Sequence, residues 1–354
     1  MRRLLMFLHR FLRRPASGAE VLVIQPFPGI GDVIWFLPHM HALAEERGPL
    51  TLMTKPRSCA DKLLAGDRRI KRVVWLERNP GRHDGIRGFF RLVGEIRRRR
   101  YTEAWLFHRS SRYAWALYLA GVPVTYGYGR KWQRFLLTHD AGFLDAEQLR
   151  LHAIDKAGLV LEKAGVPFVH REPDFFVSAA VLQDVARHYG LEPKRGNGST
   201  CTPAGRCAVF ALGSSSAQKQ WGRENFLALA RCLGTRGVDK VFLAGGTAEQ
   251  EMMQWMQQRQ ETDAPELVSL INLPFARLAA LIKCTDFCVG NDTGILNLAA
   301  AVRVPTYGLF GVTRPLTNSA SLFPVTPPAD TGMQGISVDS VVGLLARDQR
   351  IAPA

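Results

Sequence analysis

The turn Gly290-Asn291-Asp292-Thr293-Gly294 follows a short apolar run at 287–289 and precedes the small, apolar stretch 295–302. A strand, a turn and a helix start in that order leave the N–H groups of Thr293 and Gly294 unpaired at the positive end of a helix, a setting that suits a phosphate. A capped helix in any α/β protein has the same pattern, so the stretch alone leaves both readings open. A second turn, Gly213-Ser214-Ser215-Ser216, follows a strand at 207–212 and offers hydroxyl and N–H donors at Ser214 and Ser215, with a cation nearby at Lys219. A third, Gly245-Gly246, closes a strand at 240–244 and is followed by Glu249, a carboxylate able to accept hydrogen bonds from ribose hydroxyls. Together the three turns fit a nucleotide diphosphate.

A different chemistry is on offer near the start of the chain. Residues 21–25 form an apolar strand run, 26–32 a Pro- and Gly-rich turn, and 33–43 an apolar helix. Gly29 and Gly31 match the first two glycines of the dinucleotide fingerprint, but its third falls on Ile34 or Trp35, and no acid closes the next strand at 50–54. Lys55 and Arg57, just beyond that strand, are the only support for a 2′-phosphate dinucleotide. What the turn does carry is Asp32, a carboxylate at the mouth of a sheet that could act as a general base or simply cap the helix.

Charge divides the chain. Of the net +15, residues 1–170 hold 29 Lys and Arg against 15 Asp and Glu, while residues 171–354 hold 17 against 16. So one-sided a field points the first half at an anionic partner. Lys55, Arg57, Arg109, Arg112 and Arg130 follow or lie near predicted strand ends, where open sheets bind ligands, and are candidates for an anionic acceptor. Tyr101, Trp105, Trp115 and Trp132 lie among these charges, so single-stranded nucleic acid has to be weighed, yet no RRM, KH or helix-turn-helix pattern accompanies them. No nucleic-acid partner is expected.

These residues need two α/β units to hold them. The charge balance changes at 172–174, which places an N-terminal acceptor-binding domain at 1–172 and a C-terminal nucleotide-sugar domain at 173–354. Further strands are expected at 72–76 and 103–107 and helices at 88–100, 181–189, 224–233 and 338–345, with a loop at 193–206. The six cysteines show no CxxC pair or histidine at metal spacing, and are read as reduced thiols. Residues 1–15 form a basic, amphipathic arm: Leu4, Leu5, Leu8, Phe11 and Leu12 are expected on one helical face and Arg2, Arg3, Arg10, Arg13 and Arg14 towards the other, as in a helix lying at a membrane surface or packed on the protein itself. The uncharged run 113–129 is broken by Gly121 and Pro123, so no transmembrane segment is expected.

The motifs GIGDVIWFLP (29–38), Lys219-Gln220-Trp221, AGGTAEQE (244–251) and above all GNDTGILNLAAAVRVPTYGLFG (290–311) resemble the heptosyltransferases of lipopolysaccharide core assembly, over about residues 20 to 315. The resemblance implies a GT-B fold of two Rossmann-like domains facing a central cleft, and inverting transfer of heptose from ADP-heptose to an anionic lipopolysaccharide acceptor, with no metal or other cofactor. By the same resemblance Asp32 is the base, Ser214, Ser215 and Lys219 meet the diphosphate, Glu249 the ribose, and Asp292, Thr293, Gly294 and Asn297 the sugar and phosphates. It also implies work at the cytoplasmic face of the inner membrane, peripherally attached. Three positions depart from the family pattern: Asn297 stands where histidine is common, Ser214 and Ser215 where threonine is usual, and Arg314 where an acid is usual. A GT-B enzyme with another nucleotide sugar or acceptor, an epimerase of the same architecture, and a non-catalytic anionic-lipid-binding protein are the alternatives.

Overall fold

The structure, a computed structural model, describes residues 1–13, 20–191, 205–261, 264–315, 318–328 and 331–352. Arg14, Cys201 and most of the loop expected at 193–206 lie outside the described residues. The chain divides into two compact units, Met1–Arg171 and Glu172–Ala354.

The first unit runs α1 (Arg2–Leu12), β1 (Val21–Ile24), α2 (Ile30–Arg47), β2 (Leu50–Thr54), α3 (Ala60–Leu63), β3 (Ile70–Trp75), α4 (Gly85–Arg99), β4 (Glu103–Leu106), α5 (Ser111–Ala120), β5 (Val124–Gly127), α6 (Gln133–Leu136) and α7 (Ala153–Lys163). Its strands are all parallel, in the order β3-β2-β1-β4-β5. Parallel strands need crossover helices on both faces, so the central ones are buried on both sides; β1 reads VLVI and every residue of it is buried. The direction of winding reverses between β1 and β4, and the loops after these two strands open at that switch point, where α/β sheets bind ligands.

The second unit repeats the plan: α8 (Ala179–Tyr189), β6 (Arg206–Ala211), α9 (Arg223–Gly234), β7 (Val238–Gly245), α10 (Gln250–Gln257), β8 (Glu266–Ile271), α11 (Phe275–Lys283), β9 (Phe287–Asn291), α12 (Gly294–Ala301), β10 (Thr306–Leu309), β11 (Leu322–Val325) and α13 (Val338–Arg347). Among the described residues its parallel sheet has the order β11-β10-β9-β6-β7-β8, with the reversal between β6 and β9. Gly290 makes that pairing possible: a Cβ there would come within 2.4 Å of the Ala211 Cβ and 2.6 Å of its carbonyl oxygen. The C-terminal helix α13 buries Val341, Val342 and Leu345 in the same core as α9 and β6.

Three expectations are corrected. Asp32 is not on a loop: α2 starts at Ile30, and Asp32 is its third residue. The apolar residues of the N-terminal arm do not share one face, because neighbours on a helix point about 100° apart. Leu5 and Leu12 pack inward with Met6, whereas Leu4, Leu8 and Phe11 turn outward. Cys284 is disulfide-bonded, so the six cysteines are not all reduced thiols; Cys59, Cys232 and Cys288 are free.

Helix α2 is buried along nearly its whole middle, and that includes a histidine. His39 is fully buried, its Nε2 3.0 Å from the Ile154 carbonyl oxygen and its ring stacked on Phe168 at 4.6 Å. Burial pushes its pKa down to about 4 from 6.5, so the folded protein holds it neutral. Between pH 6.5 and about 4 the unfolded chain carries a proton on this ring that the folded chain refuses, so stability falls as the pH is lowered through that interval. The full effect is roughly 3 kcal/mol. Urea unfolding midpoints measured from pH 7 to 4 should fall more steeply for the native protein than for His39→Gln, which keeps an N–H donor for Ile154 but cannot titrate.

Candidate functional site

In the second unit, the loops after β6 and β9 meet at the switch point, and one buried side chain ties them together. Asn291, the last residue of β9, donates through Nδ2 to the Leu212 carbonyl at 2.7 Å and to Gln220 Oε1 at 3.0 Å, while its Oδ1 accepts from the Trp221 N–H at 3.1 Å. Trp221 is itself buried, and its indole N–H donates to the Ile336 carbonyl at 2.7 Å. The loop 212–221 is thus held at both ends, which fixes Lys219 between them. Lys219 Nζ lies 2.6 Å from Asp292 Oδ2, and the same oxygen accepts from the Thr313 hydroxyl at 2.8 Å. The two charged side chains are about a fifth exposed, so the pair is open to a ligand on one side.

Glu249 reaches the same edge from β7. One carboxylate oxygen accepts from the Gly246 N–H at 2.8 Å, which closes the short helical turn Thr247–Glu249 and orients the other oxygen. A Cβ on Gly213 would stand 3.8 Å from Glu249 Oε1 and 3.7 Å from Thr293 Oγ1, so Gly213 keeps the floor between them low. Thr293 caps α12 in extended conformation without a side-chain cap hydrogen bond, leaving its hydroxyl and the first N–H groups of the helix directed at this edge. Lys219, Glu249, Asp292 and Thr293 therefore gather as one group. Ser214 is turned into its own loop, its hydroxyl donating to the Ser216 carbonyl at 2.6 Å, and Ser215 is exposed. Asn297 is buried within α12.

The first unit presents a second, very different site. At the carboxyl edge of its sheet, β2 is followed by Lys55, β3 by Arg78, β4 by Arg109 and β5 by Arg130, while the helix after β1 carries Asp32. Asp32 is half-buried, and its Oδ2 accepts from the Gly29 N–H at 2.8 Å as part of a capping box. His108, beside Arg109, registers the crowding of cations: burial, then the charges of Arg109, Lys55, Arg78 and Lys156, push its pKa down to about 4. Its Nδ1 accepts from the Ser110 N–H at 3.1 Å and its ring meets Phe27 at 5.6 Å, which places a neutral imidazole next to the turn that precedes Asp32. Burial and the charges of Arg109 and Arg130 likewise lower the pKa of Lys156, whose ammonium lies over Tyr128 at 5.6 Å.

Not every predicted cation joins this group. Arg112 donates to the His83 and Gly85 carbonyls, both at 2.8 Å, and lies over Phe89 at 4.9 Å, so its guanidinium holds the start of α4. Arg57 is exposed on the short turn Pro56–Ser58. Tyr101 and Trp105 are buried in the core and form no stacking surface. Asn291, Thr313, His108, Arg78 and Lys156 escape the sequence reading. Asn291 lies inside the turn that drew attention, but a turn asparagine gives no sign that its amide will be buried.

Residues 89–328 match Glycosyltransferase family 9 (heptosyltransferase). The chain belongs to that family. Among curated family 9 relatives, it is 32% identical over 134 residues to lipopolysaccharide heptosyltransferase 1 of Pseudomonas aeruginosa, covering 38% of this chain and 36% of that protein. It is 25% identical over 235 residues to lipopolysaccharide heptosyltransferase 2 of Salmonella typhimurium, covering 64% of each. The chain thus spans less than two thirds of the length of either relative. Among solved structures it superposes on a family 9 glycosyl transferase from Veillonella parvula with a TM-score of 0.72 at 20% identity, covering 95% of this chain and 98% of that one. It superposes on E. coli ADP-heptose LPS heptosyltransferase II with a TM-score of 0.68 at 18% identity, and on E. coli heptosyltransferase WaaC with ADP with 0.68 at 16%, each covering 93% of this chain and 99% of the other. These likenesses establish the fold, the GT-B pairing of two Rossmann-like units that the sequence motifs implied. Among the described residues no group of three or more His, Cys, Asp or Glu side chains is placed to share a metal ion.

Two measurements check this geometry. Asn291→Ala removes three hydrogen bonds and leaves buried partners unpaired, so it should lower unfolding free energy by about 3 kcal/mol in urea titrations. An NMR titration should find His108 with a pKa near 4, and Arg109→Gln should raise it, because one of the depressing charges is gone.

Proposed function

We propose that this protein is an inverting glycosyltransferase that moves heptose from ADP-heptose to an anionic inner-core lipopolysaccharide acceptor at the cytoplasmic face of the inner membrane. The observation that carries the reading is the grouping of Lys219, Glu249, Asp292 and Thr293 around Gly213 at the β6/β9 switch point. In it a cation and a helix N-terminus stand ready for a diphosphate, and a carboxylate stands ready for ribose hydroxyls. Family membership supports a sugar-transfer chemistry, and the names of the relatives support heptose and lipopolysaccharide as the substrates.

In this reading the diphosphate takes Lys219 as its counter-ion, and the N–H groups at the start of α12 stabilise the charge that grows on the leaving oxygen as the glycosidic bond breaks. Asp292 and Thr313 keep the lysine in place before the donor arrives. Asp32 takes the proton from the acceptor hydroxyl while that oxygen attacks the anomeric carbon, so the configuration inverts in one displacement. The Gly29 N–H occupies one oxygen of Asp32 and orients the carboxylate. Lys55, Arg78, Arg109, Arg130 and Lys156 hold the anionic groups of the acceptor, and the neutral His108 supplies a hydrogen-bond donor among them.

The test combines product analysis with binding. Mass spectrometry of the purified protein with ADP-heptose and truncated lipopolysaccharide acceptors should show a single added heptose. Asp32→Asn keeps an acceptor for the Gly29 N–H but cannot take a proton, and should lower turnover by 10² or more while ADP affinity by calorimetry stays unchanged. Lys219→Ala should weaken ADP binding itself. Full turnover by Asp32→Asn would remove the base assignment, and no ADP binding by the native protein would remove the donor.

A further inference from the structure

Helix α1 is built to be held on one side and unpartnered on the other. Leu5, Met6 and Leu12 pack against the core cluster of the first unit together with the buried His9. The Tyr118 hydroxyl donates to the Leu5 carbonyl at 2.7 Å, Arg2 pairs with Asp140 at 2.5 Å, and Arg13 donates to the Pro123 carbonyl at 3.2 Å. Burial lowers the His9 pKa to about 4, so the ring adds no charge to this seam. The helix is therefore a fixed part of the surface.

Its outer side carries Leu4, Phe7, Leu8 and Phe11, which stand at the i, i+3, i+4, i+7 spacing of a core-facing stripe and yet are 62, 55, 46 and 74% exposed. The Phe7 and Phe11 rings meet edge to face at 5.4 Å, forming a ridge. Arg3 and Arg10 are exposed along the helix, and residues 1–13 contain no acid. Helix α4 packs on α5, as α1 does, and repeats the theme: Ile86 and Phe90 are 77 and 60% exposed, and Arg87 and Arg91 beside them are exposed too.

We propose that the outer face of α1 docks this protein on an anionic phospholipid bilayer. Apolar side chains enter the headgroup region and the arginines meet lipid phosphates. Charge decides the occupant. Two copies meeting through this face would set Arg3 and Arg10 of one against the same residues of the other, with no acid on α1 of either copy to relieve the repulsion. A negatively charged surface neutralises them. The inference deepens the membrane placement in the proposed function by assigning the surface that makes the contact, and it does not depend on the identity of the donor.

The experiment is co-sedimentation of the full chain with vesicles of phosphatidylethanolamine and phosphatidylglycerol, against vesicles of phosphatidylcholine alone. Binding is expected to the anionic vesicles, weakened at least tenfold by raising salt from 50 to 500 mM, and weak to phosphatidylcholine. Phe7→Ser with Phe11→Ser, and separately Arg3→Glu with Arg10→Glu, should each lower vesicle affinity tenfold or more while melting temperature and ADP binding remain those of the native chain. In Phe11→Trp, brominated lipids should quench fluorescence beyond the quenching seen in the native protein. Equal vesicle binding by the native and double-serine chains, absence of binding to the anionic vesicles, or a dimer in sedimentation analysis that the serine variant abolishes would each overturn the proposal.

Discussion

The closeness of β6 and β9 is the constraint on which the second unit depends. Strands that pair in parallel sit at a fixed spacing, but here the backbone of Ala211 comes so near Gly290 that no side chain fits at that position. One residue later the chain places Asn291, with an amide that donates to one end of the 212–221 loop and accepts from the other. A buried amide left unsatisfied costs about as much as several good contacts return, so Asn291 is stable there only because Leu212, Gln220 and Trp221 all answer it. The same bonds define where Lys219 and Asp292 stand. A site of surface loops has acquired the rigidity of a core.

The first unit is organised by an unresolved electrostatic demand. Four of the five strands among its described residues deliver a cation to one edge, and a lysine from α7 joins them. Burial, and after it their combined field, holds His108 well below its ordinary range, and one of these cations, Arg78, faces an acid, Asp84, at 3.6 Å. Self-repulsion of that kind destabilises a fold, and the unit contains acids that could have been placed to relieve it. Glu95 instead pairs with His83, and Asp67 with His41 and Arg69, away from the strand ends. The proposed anionic acceptor completes a charge balance that the protein alone leaves open.

Much of this was legible in the chain because local rules and tertiary context agree. Strand 50–54 is read to the residue, since a β-branched and apolar run between a Gly-Pro pair and a Lys-Pro pair has no competing pattern. The three glycine-marked turns of the second unit follow strand runs, and at a switch point such turns converge. Strands β5, β10 and β11 carry no such signature, being four residues long and containing glycine or proline, and β8 starts on a glutamate and has a serine in mid-run, so only pairing with a neighbour distinguishes them from loops. Long-range partners were hidden for the same reason. Thr313 reaches Asp292 because β10 lies beside β9, a fact of topology and not of spacing. The arm at the N-terminus misled differently. Its residues are apolar on two sides, so a reading that seeks one apolar face assigns Leu4 and Leu5 together when the helix must divide them.

The pairing of Lys219 with Asp292 bears on how a site can bind a strongly charged donor and still release it. A lysine standing alone at the edge would have a wide range of rotamers to lose on meeting a diphosphate. Tied to Asp292 it is already ordered, and Thr313 shares the same oxygen, so the carboxylate does not swing away. Asp292 also opposes the incoming negative charge, which tempers ground-state affinity. In the proposed transfer, a cation already ordered by its partner loses little freedom on meeting the charge that grows on the leaving group, and preorganisation of that kind is the direction catalysis requires.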